Sequence, residues 1–152
     1  MTSSDKTPYE PELPEECSNI LYTSQQIQER IEVMAQEISE HYKKILDKDE
    51  FVVLVPVLTG SYMFVADLSR RLSVPNKIDF IALSSYADST VSSGEVKILM
   101  DTRQSMFGKH VLIIEDIIDS GYTLQFLENL FQTRRPKSLS AAVLLTAPKT
   151  KR

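Results

Sequence analysis

Residues 115–123, EDIIDSGYT, combine two kinds of groups that could do chemistry on a single ligand. The carboxylates of Glu115, Asp116 and Asp119 could hold hydroxyl groups, accept a proton or stabilise a developing positive charge. The Ser-Gly pair that follows leads into a predicted helix, and the first backbone N–H groups of a helix attract anions. Acids repel anions, yet the stretch places its carboxylates beside a turn whose amides would attract a negative charge, and this conflict needs an explanation.

The second half of this stretch supplies the amides. Gly121 lets the backbone approach a ligand closely, and the N–H groups of residues 120–123 with two hydroxyls would cradle a phosphate. In a simpler interpretation, Asp119 or Ser120 only caps the helix and the other acids are solvated. The four apolar residues 111–114 lead directly into the acids at a predicted strand end, and this arrangement favours the ligand site.

Hydrophobic periodicity indicates the elements that position these residues. Continuous apolar runs at 51–58 and at 111–114, the latter inside a strand predicted at 109–116, are typical of strands that are buried on both faces. Ile27, Ile31, Met34 and Ile38 recur at every third or fourth position, which indicates a helix that Thr23 or Ser24 caps. Further helices are predicted at 62–72 and 122–134, and further strands at 77–86, 96–101 and 138–146.

Strands that alternate with helices predict an α/β fold, with a mainly parallel twisted sheet flanked by helices. Ligands of such sheets bind beyond the carboxyl ends of the strands. This rule selects the loops at residues 58–61, 84–94 and 115–123 as the candidate ligand-binding loops.

Length and composition indicate one soluble domain. The 152 residues are 42% hydrophobic and 25% charged with a formal net charge of −4, so no nucleic-acid partner is expected. No stretch approaches the roughly 20 apolar residues of a membrane-spanning helix, so no membrane partner is expected either. Residues 1–17 are expected to be a mobile tail rather than a signal peptide, and residues 18–152 to form the domain. The single cysteine, Cys17, fits a reducing compartment, so a cytoplasmic location is expected.

The order of these motifs resembles that of the type I phosphoribosyltransferases, in particular their hypoxanthine-guanine branch. VLIIEDIIDSGYT is similar to the family motif for phosphoribosyl pyrophosphate (PRPP), and VPVLTGSYMFVADLSRRL to the pyrophosphate loop and the helix after it. LSSYADSTVSSGEVKI resembles the mobile catalytic loop, and ILYTSQQIQERIEVMAQEI resembles the first helix. These matches follow the family's order over residues 19–146, and they imply its Rossmann-like fold.

The resemblance implies a purine salvage enzyme. Its relatives transfer ribose 5-phosphate from PRPP to a 6-oxopurine, release pyrophosphate and use Mg²⁺. Hypoxanthine or guanine, with xanthine as a further candidate, would be the acceptor, and IMP or GMP the product. Asp119 would be the general base, while Glu115 and Asp116 would hold the ribose hydroxyls and contact Mg²⁺ indirectly, through ribose and water. Carboxylates beneath the ribose suit this chemistry, because breaking the bond at C1 builds positive charge on the sugar.

The resemblance also assigns the phosphate-binding and loop residues. The residues that would bind the 5-phosphate are Ser120, Gly121, Tyr122 and Thr123. Thr59 and Gly60 would offer backbone N–H groups to pyrophosphate, and Ser85 and Tyr86 would close over the site. The helix after the pyrophosphate loop contributes to a dimer interface in the family, so a homodimer or homotetramer is expected.

Two positions depart from the pattern of this branch. Thr59 stands where the family usually has Lys or Arg, which removes a cation but keeps the backbone donors. This peptide can be cis in the family, so we expect a cis Leu58–Thr59 bond. Ile117 and Lys149 would contact the purine. Ala147 stands where the family has its purine-reading lysine, and Lys149 either substitutes for that lysine or is a solvated charge.

The largest departure concerns the purine half of the site. The family continues for several tens of residues past this point, so the sequence predicts a fold without its C-terminal hood segment and a purine half that is mostly absent. One alternative is therefore a catalytically inactive module that binds PRPP or a nucleotide, or a regulatory partner of a full-length enzyme. Another is a phosphoacceptor receiver domain, which also clusters acids at strand ends, but no acid ends the strand at 51–58.

Overall fold

The computed structural model describes residues 19–85 and 96–147. Its helices are α1 (Ser24–Ile45), α2 (Tyr62–Arg71) and α3 (Tyr122–Thr133). Its strands are β1 (Val52–Leu58), β2 (Asn76–Ile78), β3 (Ile81–Ser85), β4 (Val96–Met100), β5 (His110–Ile118) and β6 (Ser138–Thr146). The predicted tail at residues 1–17, Tyr86 and Lys149 lie outside the described residues, as does the side chain of Ser85.

The strands form one sheet in the order β4-β3-β1-β5-β6, and β2 also pairs with β1. β2 and β3 pair one after the other with the same edge of β1, and β5 pairs with its other edge. All of these pairs are parallel, as is β5 with β6, whereas β3 and β4 are antiparallel. The predicted α/β fold with a mainly parallel sheet is therefore confirmed.

The central strand β1 is buried on both faces, which explains its continuous apolar run. Val52 and Leu54 face the core on the side of α1 and α2. Val53 and Val55 face the other core, which contains side chains of α3. Helices thus cover both faces of the sheet, so the edge at the carboxyl ends of the strands is the place where loops can form a site.

Helix α1 begins at the predicted position because Thr23 and Gln26 form a capping box. The Gln26 N–H donates to Thr23 Oγ1 at 3.2 Å, and the Thr23 N–H donates to Gln26 Oε1 at 2.8 Å. This exchange satisfies two backbone donors that the first turn would otherwise leave open. Within the described ranges, no helix has the length and hydropathy needed to cross a membrane.

The single strand predicted at 77–86 forms instead as β2 and β3, because the chain turns at Asp79. The buried Asp79 carboxylate accepts backbone N–H bonds from Arg103, at 3.1 and 2.9 Å, and from Gln104, at 3.0 Å. The Asp79 N–H donates to the carbonyl of Leu54 at 3.0 Å. Hydrophobic periodicity could not show this break, since the partners lie 24 and 25 residues further along the chain. Asp79 thereby ties the segment after β4 to the sheet.

Replacing Asp79 by alanine is expected to lower the free energy of unfolding by about 2–3 kcal/mol, because two backbone donors lose a charged acceptor. Asp101→Ala is the matched control. It removes an exposed carboxylate that pairs with Arg134 at 2.7 Å, so its expected cost is at most about 1 kcal/mol. Urea denaturation of both variants measures the difference. Equal costs for the two variants would show that Asp79 does not anchor this segment.

Candidate active site

The carboxyl ends of β1 and β5, which are parallel neighbours, bring two of the predicted loops together. Gly60 after β1 lies directly against the Asp116 carboxylate of β5, since a Cβ built on Gly60 would be 2.6 Å from Asp116 Oδ2. β3 ends at Ser85 beside β1, so the third predicted loop begins at the same edge. Residues 86–95 of that loop lie outside the described chain.

Strand β5 continues past the predicted end at Asp116 to Ile118. It does so because β6 pairs with it throughout, from Glu115 opposite Val143 to Ile118 opposite Thr146. Successive side chains of a strand point to opposite faces, so Glu115 faces the α3 side and Asp116 faces the side of α1 and α2. The two acids that were expected to share the ribose hydroxyls therefore line different faces of one strand.

Glu115 is the acid whose ionised form is disfavoured in the folded protein. Its side chain is half-buried, and Oε2 is buried without a hydrogen-bond partner among the described residues. Burial, and secondly the negative charge of Asp116, raise the pKa of Glu115 to about 7. A sugar hydroxyl or a cation bound to this oxygen would stabilise the carboxylate, since either would offset the free-energy cost of its burial.

The turn between β5 and α3 is open to an anion. Gly121, with φ of +82°, precedes α3 and supplies no side-chain cap, so neither Asp119 nor Ser120 is the cap that the simpler interpretation predicted. Glycine suits this left-handed conformation, which other residues adopt only at a cost. Among the described residues, the side-chain hydrogen bond to an amide of this turn is weak, with the Tyr122 N–H 3.5 Å from Ser120 Oγ. The amides of the first turn therefore remain available to a ligand.

A small cleft of about 160 Å³ lies over this turn. Its lining residues are Glu115, Ile117, Ile118, Asp119, Ser120, Gly121, Thr123 and Leu124. Three of the four predicted phosphate residues are thus in one cleft with Glu115 and Asp119. The fourth, Tyr122, is 70% exposed and is the first residue of α3, so its backbone N–H belongs to the first turn of that helix.

The predicted pyrophosphate loop forms the turn between β1 and α2. The Leu58–Thr59 peptide bond is cis, as the resemblance predicted. Ser61 is buried and its Oγ donates to the Val57 carbonyl at 2.6 Å, which holds the turn against the end of β1. In the described part of the chain, the turn and loop hydrogen bonds leave the N–H groups of Thr59 and Gly60 without an acceptor. Both residues are exposed, so these two donors can reach a ligand.

A second, apolar cleft of about 520 Å³ lies on the side of α1 and α2. Gly60, Asp116 and Ile117 line it, together with apolar side chains of α1, α2 and β6. Those apolar residues are Ile27, Ile31, Met63, Phe64, Leu144 and Leu145. Ile117, which is 50% exposed, lines both clefts and marks their common border.

Sequence reasoning assigned Ile117 to the purine but missed the other apolar residues of this cleft. Ile27 lies on the periodic apolar face of α1 and Leu144 in the apolar run of β6, and both also pack against the core on this side of the sheet. No local signal distinguishes such residues from core residues. The predicted purine contact Lys149 lies outside the described chain, whereas Ala147 donates its N–H to the Ile118 carbonyl at 2.8 Å and extends the pairing of β6.

The acids of this site do not form a metal centre by themselves. Within the described residues, no group of three or more His, Cys, Asp or Glu side chains could hold a metal ion. Glu115 and Asp116 provide the oxygen ligands that Mg²⁺ prefers, but they lie on opposite faces of β5. A Mg²⁺ ion here would therefore need further oxygens from a bound ligand or from water.

Comparison with known proteins shows what this arrangement is similar to. The family model for the phosphoribosyl transferase domain matches residues 18–152. The hypoxanthine-guanine phosphoribosyltransferase of Mycobacterium avium is 42% identical over 149 residues, which cover 96% of this chain and 73% of the relative. The enzyme of the same name from Bacillus subtilis is 40% identical over 133 residues, which cover 88% of this chain and 71% of the relative.

Comparison with solved structures finds phosphoribosyltransferases as well. The hypoxanthine phosphoribosyltransferase of Trypanosoma cruzi, solved in complex with the product IMP, matches with a TM-score of 0.80 and 43% identity. The match covers 92% of this chain and 80% of that structure.

Proposed function

The chain belongs to the phosphoribosyltransferase family, and we propose that it transfers the 5-phosphoribosyl group of PRPP to a 6-oxopurine. Hypoxanthine or guanine would be the acceptor, with xanthine as a further candidate, and IMP or GMP the product. The observation that carries this proposal is the pair of clefts that meet at Ile117. One cleft combines acids with an open helix start, which suits a sugar phosphate, and the other is apolar, which suits a planar base.

The proposed reaction is a displacement at C1 of the ribose. The bond from C1 to the pyrophosphate oxygen breaks, and its electron pair leaves with pyrophosphate. A purine nitrogen forms the new bond to C1 and loses its proton to Asp119. The amides of Thr59 and Gly60 would bind the departing pyrophosphate, and those of residues 120–123 would hold the 5-phosphate. Glu115 would accept a hydrogen bond from a ribose hydroxyl and would stabilise the positive charge that develops on the sugar.

Mg²⁺ would neutralise the pyrophosphate oxygens and so make pyrophosphate a better leaving group. The unsatisfied Glu115 Oε2 supports this assignment, because a buried carboxylate oxygen without a partner is suited to a cation or to a hydroxyl that a cation binds. Glu115 and Asp116 would hold the ion indirectly, through the ribose and water. Because Glu115 and Asp116 lie on opposite faces of β5, they cannot hold the ion between them, and the substrate and water would have to supply the remaining oxygen ligands.

We also propose a homodimer or homotetramer in which α2 contributes to the subunit interface. Tyr62 and Met63 in its first turn are 56% and 58% exposed, although both are large and apolar. Burial of such side chains is a common driving force for assembly. Light scattering on the purified protein measures the mass directly, and a monomer of 17.3 kDa at micromolar concentration would contradict this assembly.

The test of the proposed activity is purine-dependent release of pyrophosphate from Mg–PRPP. The purified chain is expected to release pyrophosphate with hypoxanthine or guanine and to require Mg²⁺. Parallel assays with xanthine and adenine give the acceptor range. If Mg–PRPP binds in calorimetry but no 6-oxopurine yields pyrophosphate, the protein is a binding module and the proposed activity is wrong.

A further inference from the structure

We propose that Gly60 is a positioning residue, which sets the distance between the pyrophosphate amides and Asp116 because it has no side chain. A Cβ on Gly60 would lie 2.6 Å from Asp116 Oδ2 and 3.0 Å from both Cγ and Oδ1. Real Cβ atoms do not approach other atoms within 3.0 Å, so any other residue at position 60 must move one of the two groups. The inference rests on the proposed function, since it assigns Gly60 and Asp116 to two parts of one substrate.

The backbone conformation does not explain why glycine is present here. Gly108 and Gly121 have φ of +66° and +82°, values that favour glycine, whereas Gly60 has no such φ. An alanine at position 60 therefore meets no conformational penalty of this kind. What it meets is the Asp116 carboxylate, and this contact is the reason for the glycine.

Asp116 cannot easily move its backbone away from an added side chain, although its carboxylate can rotate. Its strand pairs with β1 on one edge and with β6 on the other, and the β6 pairing includes Glu115 and Ile117 on either side of it. A Cβ on Gly60 must therefore rotate the Asp116 carboxylate or push the pyrophosphate loop away from the strand. Each response changes the same distance, the one between the loop amides and the carboxylate.

That distance matters because of the chemistry of the ribose. Pyrophosphate leaves from C1, and the nearest hydroxyl is on C2, the adjacent carbon. A protein that holds both groups at once must place its amides and its carboxylate side by side. The 2.6 Å between a Cβ built on Gly60 and Asp116 Oδ2 shows that the pyrophosphate loop and the carboxylate are neighbours, as such a substrate requires.

The first experiment is Gly60→Ala in the full chain. We expect kcat/KM for PRPP to fall at least about tenfold, since a displacement of about 1 Å in a site can cost on the order of 100-fold. The loss should appear mainly in the KM for PRPP and in kcat, with the KM for the purine changed less. A variant with unchanged kcat/KM for PRPP would overturn the inference.

A double-mutant cycle separates positioning from a general structural effect. Asp116→Ala removes the carboxylate and leaves room for a Cβ, so adding Gly60→Ala to it is expected to cause no further loss. Additive losses would overturn the inference, because they would show that Gly60 acts through something other than Asp116. The double variant also has space for both side chains, so it remains foldable even if Gly60→Ala alone is destabilised.

A crystal structure of the ligand-free double and single variants supplies a readout that does not need activity. In Gly60→Ala, the Asp116 carboxylate or the 58–61 loop should be displaced relative to the parent, and in the double variant the loop should return. If the parent protein shows no turnover, the proposed function is wrong, yet this structural comparison still decides the contact. A Gly60→Ala structure in which neither the Asp116 carboxylate nor the loop has moved would refute it.

Discussion

Replacement of Asp119 by asparagine is expected to lower kcat for nucleotide formation by roughly 10²- to 10⁴-fold, the usual contribution of a general base. Asparagine has the same shape as aspartate but cannot take the proton that leaves the purine nitrogen. The side chain is exposed in the turn after β5 and lines the small cleft with Glu115. Because an exposed side chain contributes little to folding, the free energy of unfolding should change by less than about 0.5 kcal/mol.

Steady-state release of pyrophosphate measures this effect, and Glu128→Gln provides the matched control. Glu128 is an exposed acid on α3, the helix that follows Asp119, and it lies outside both clefts. Its replacement also removes one negative charge, from the helix that begins at the small cleft, so it is the control for the loss of a charge. A loss of kcat in Asp119→Asn that is no larger than in Glu128→Gln would exclude Asp119 as the general base.

Replacement of Glu115 by glutamine is expected to stabilise the protein above pH 7 while it impairs the reaction. The folded protein raises the pKa of Glu115 from 4.5 to about 7, so the folded state resists ionisation of this group. Its contribution to stability is fully present below pH 4.5 and is lost as pH rises through about 7. Glutamine cannot ionise, so the variant keeps that contribution at every pH.

The size of this gain follows from the difference between the two pKa values. It corresponds to about 3 kcal/mol, and solvent screening of this partly exposed group reduces the expected gain to about 1–2 kcal/mol. Thermal unfolding at pH 8.5 should therefore show a higher Tm for Glu115→Gln than for the parent, and at pH 4 the two should agree. In the same variant, kcat/KM for PRPP should fall roughly 10- to 100-fold, because the charged ligand for the ribose is gone.

Glu50→Gln is the control variant, for which the expected change in Tm has the opposite sign. The ammonium group of Lys137, which hydrogen-bonds to Glu50, lowers the pKa of Glu50 to about 2. The stability that Glu50 contributes is present above the pKa of the unfolded chain and is lost as pH falls towards 2. At pH 8.5, Glu50→Gln should therefore lower the Tm, whereas Glu115→Gln raises it. A lower Tm in both variants would show that the fold does not oppose the charge of Glu115.

At a site that buries a charged group before the ligand binds, a substitution that removes the charge is expected to raise stability and to lower activity. Burial of Glu115 costs folding free energy when the site is empty, and a bound hydroxyl or cation offsets that cost. The same burial makes PRPP binding depend on pH, since Glu115 must be ionised to act. Affinity for Mg–PRPP should rise with pH through about 7 in the parent protein and lose this dependence in Glu115→Gln.

Much of the fold could be predicted from the sequence, because the signals are local. Val52 to Leu58 form an apolar run with neither charge nor glycine, so the segment must be a strand buried on both faces. Thr23 and Ser24 directly precede the apolar periodicity of α1, and residues of this type at that place predict the start of a helix. The acids and the Ser-Gly pair of residues 115–123 likewise predicted the placement of both kinds of groups at a strand end.

Only the tertiary structure could decide how those groups are shared between the clefts. β5 runs on to Ile118 because β6 pairs with it, and this pairing turns Glu115 and Asp116 to opposite faces. The break at Asp79 depends on amides 24 and 25 residues away, and the meaning of Gly60 depends on a carboxylate of another strand. A sequence encodes propensity and periodicity through neighbouring residues. Strand pairing, burial and contact distance instead arise between distant residues, so they exist only once the chain has folded.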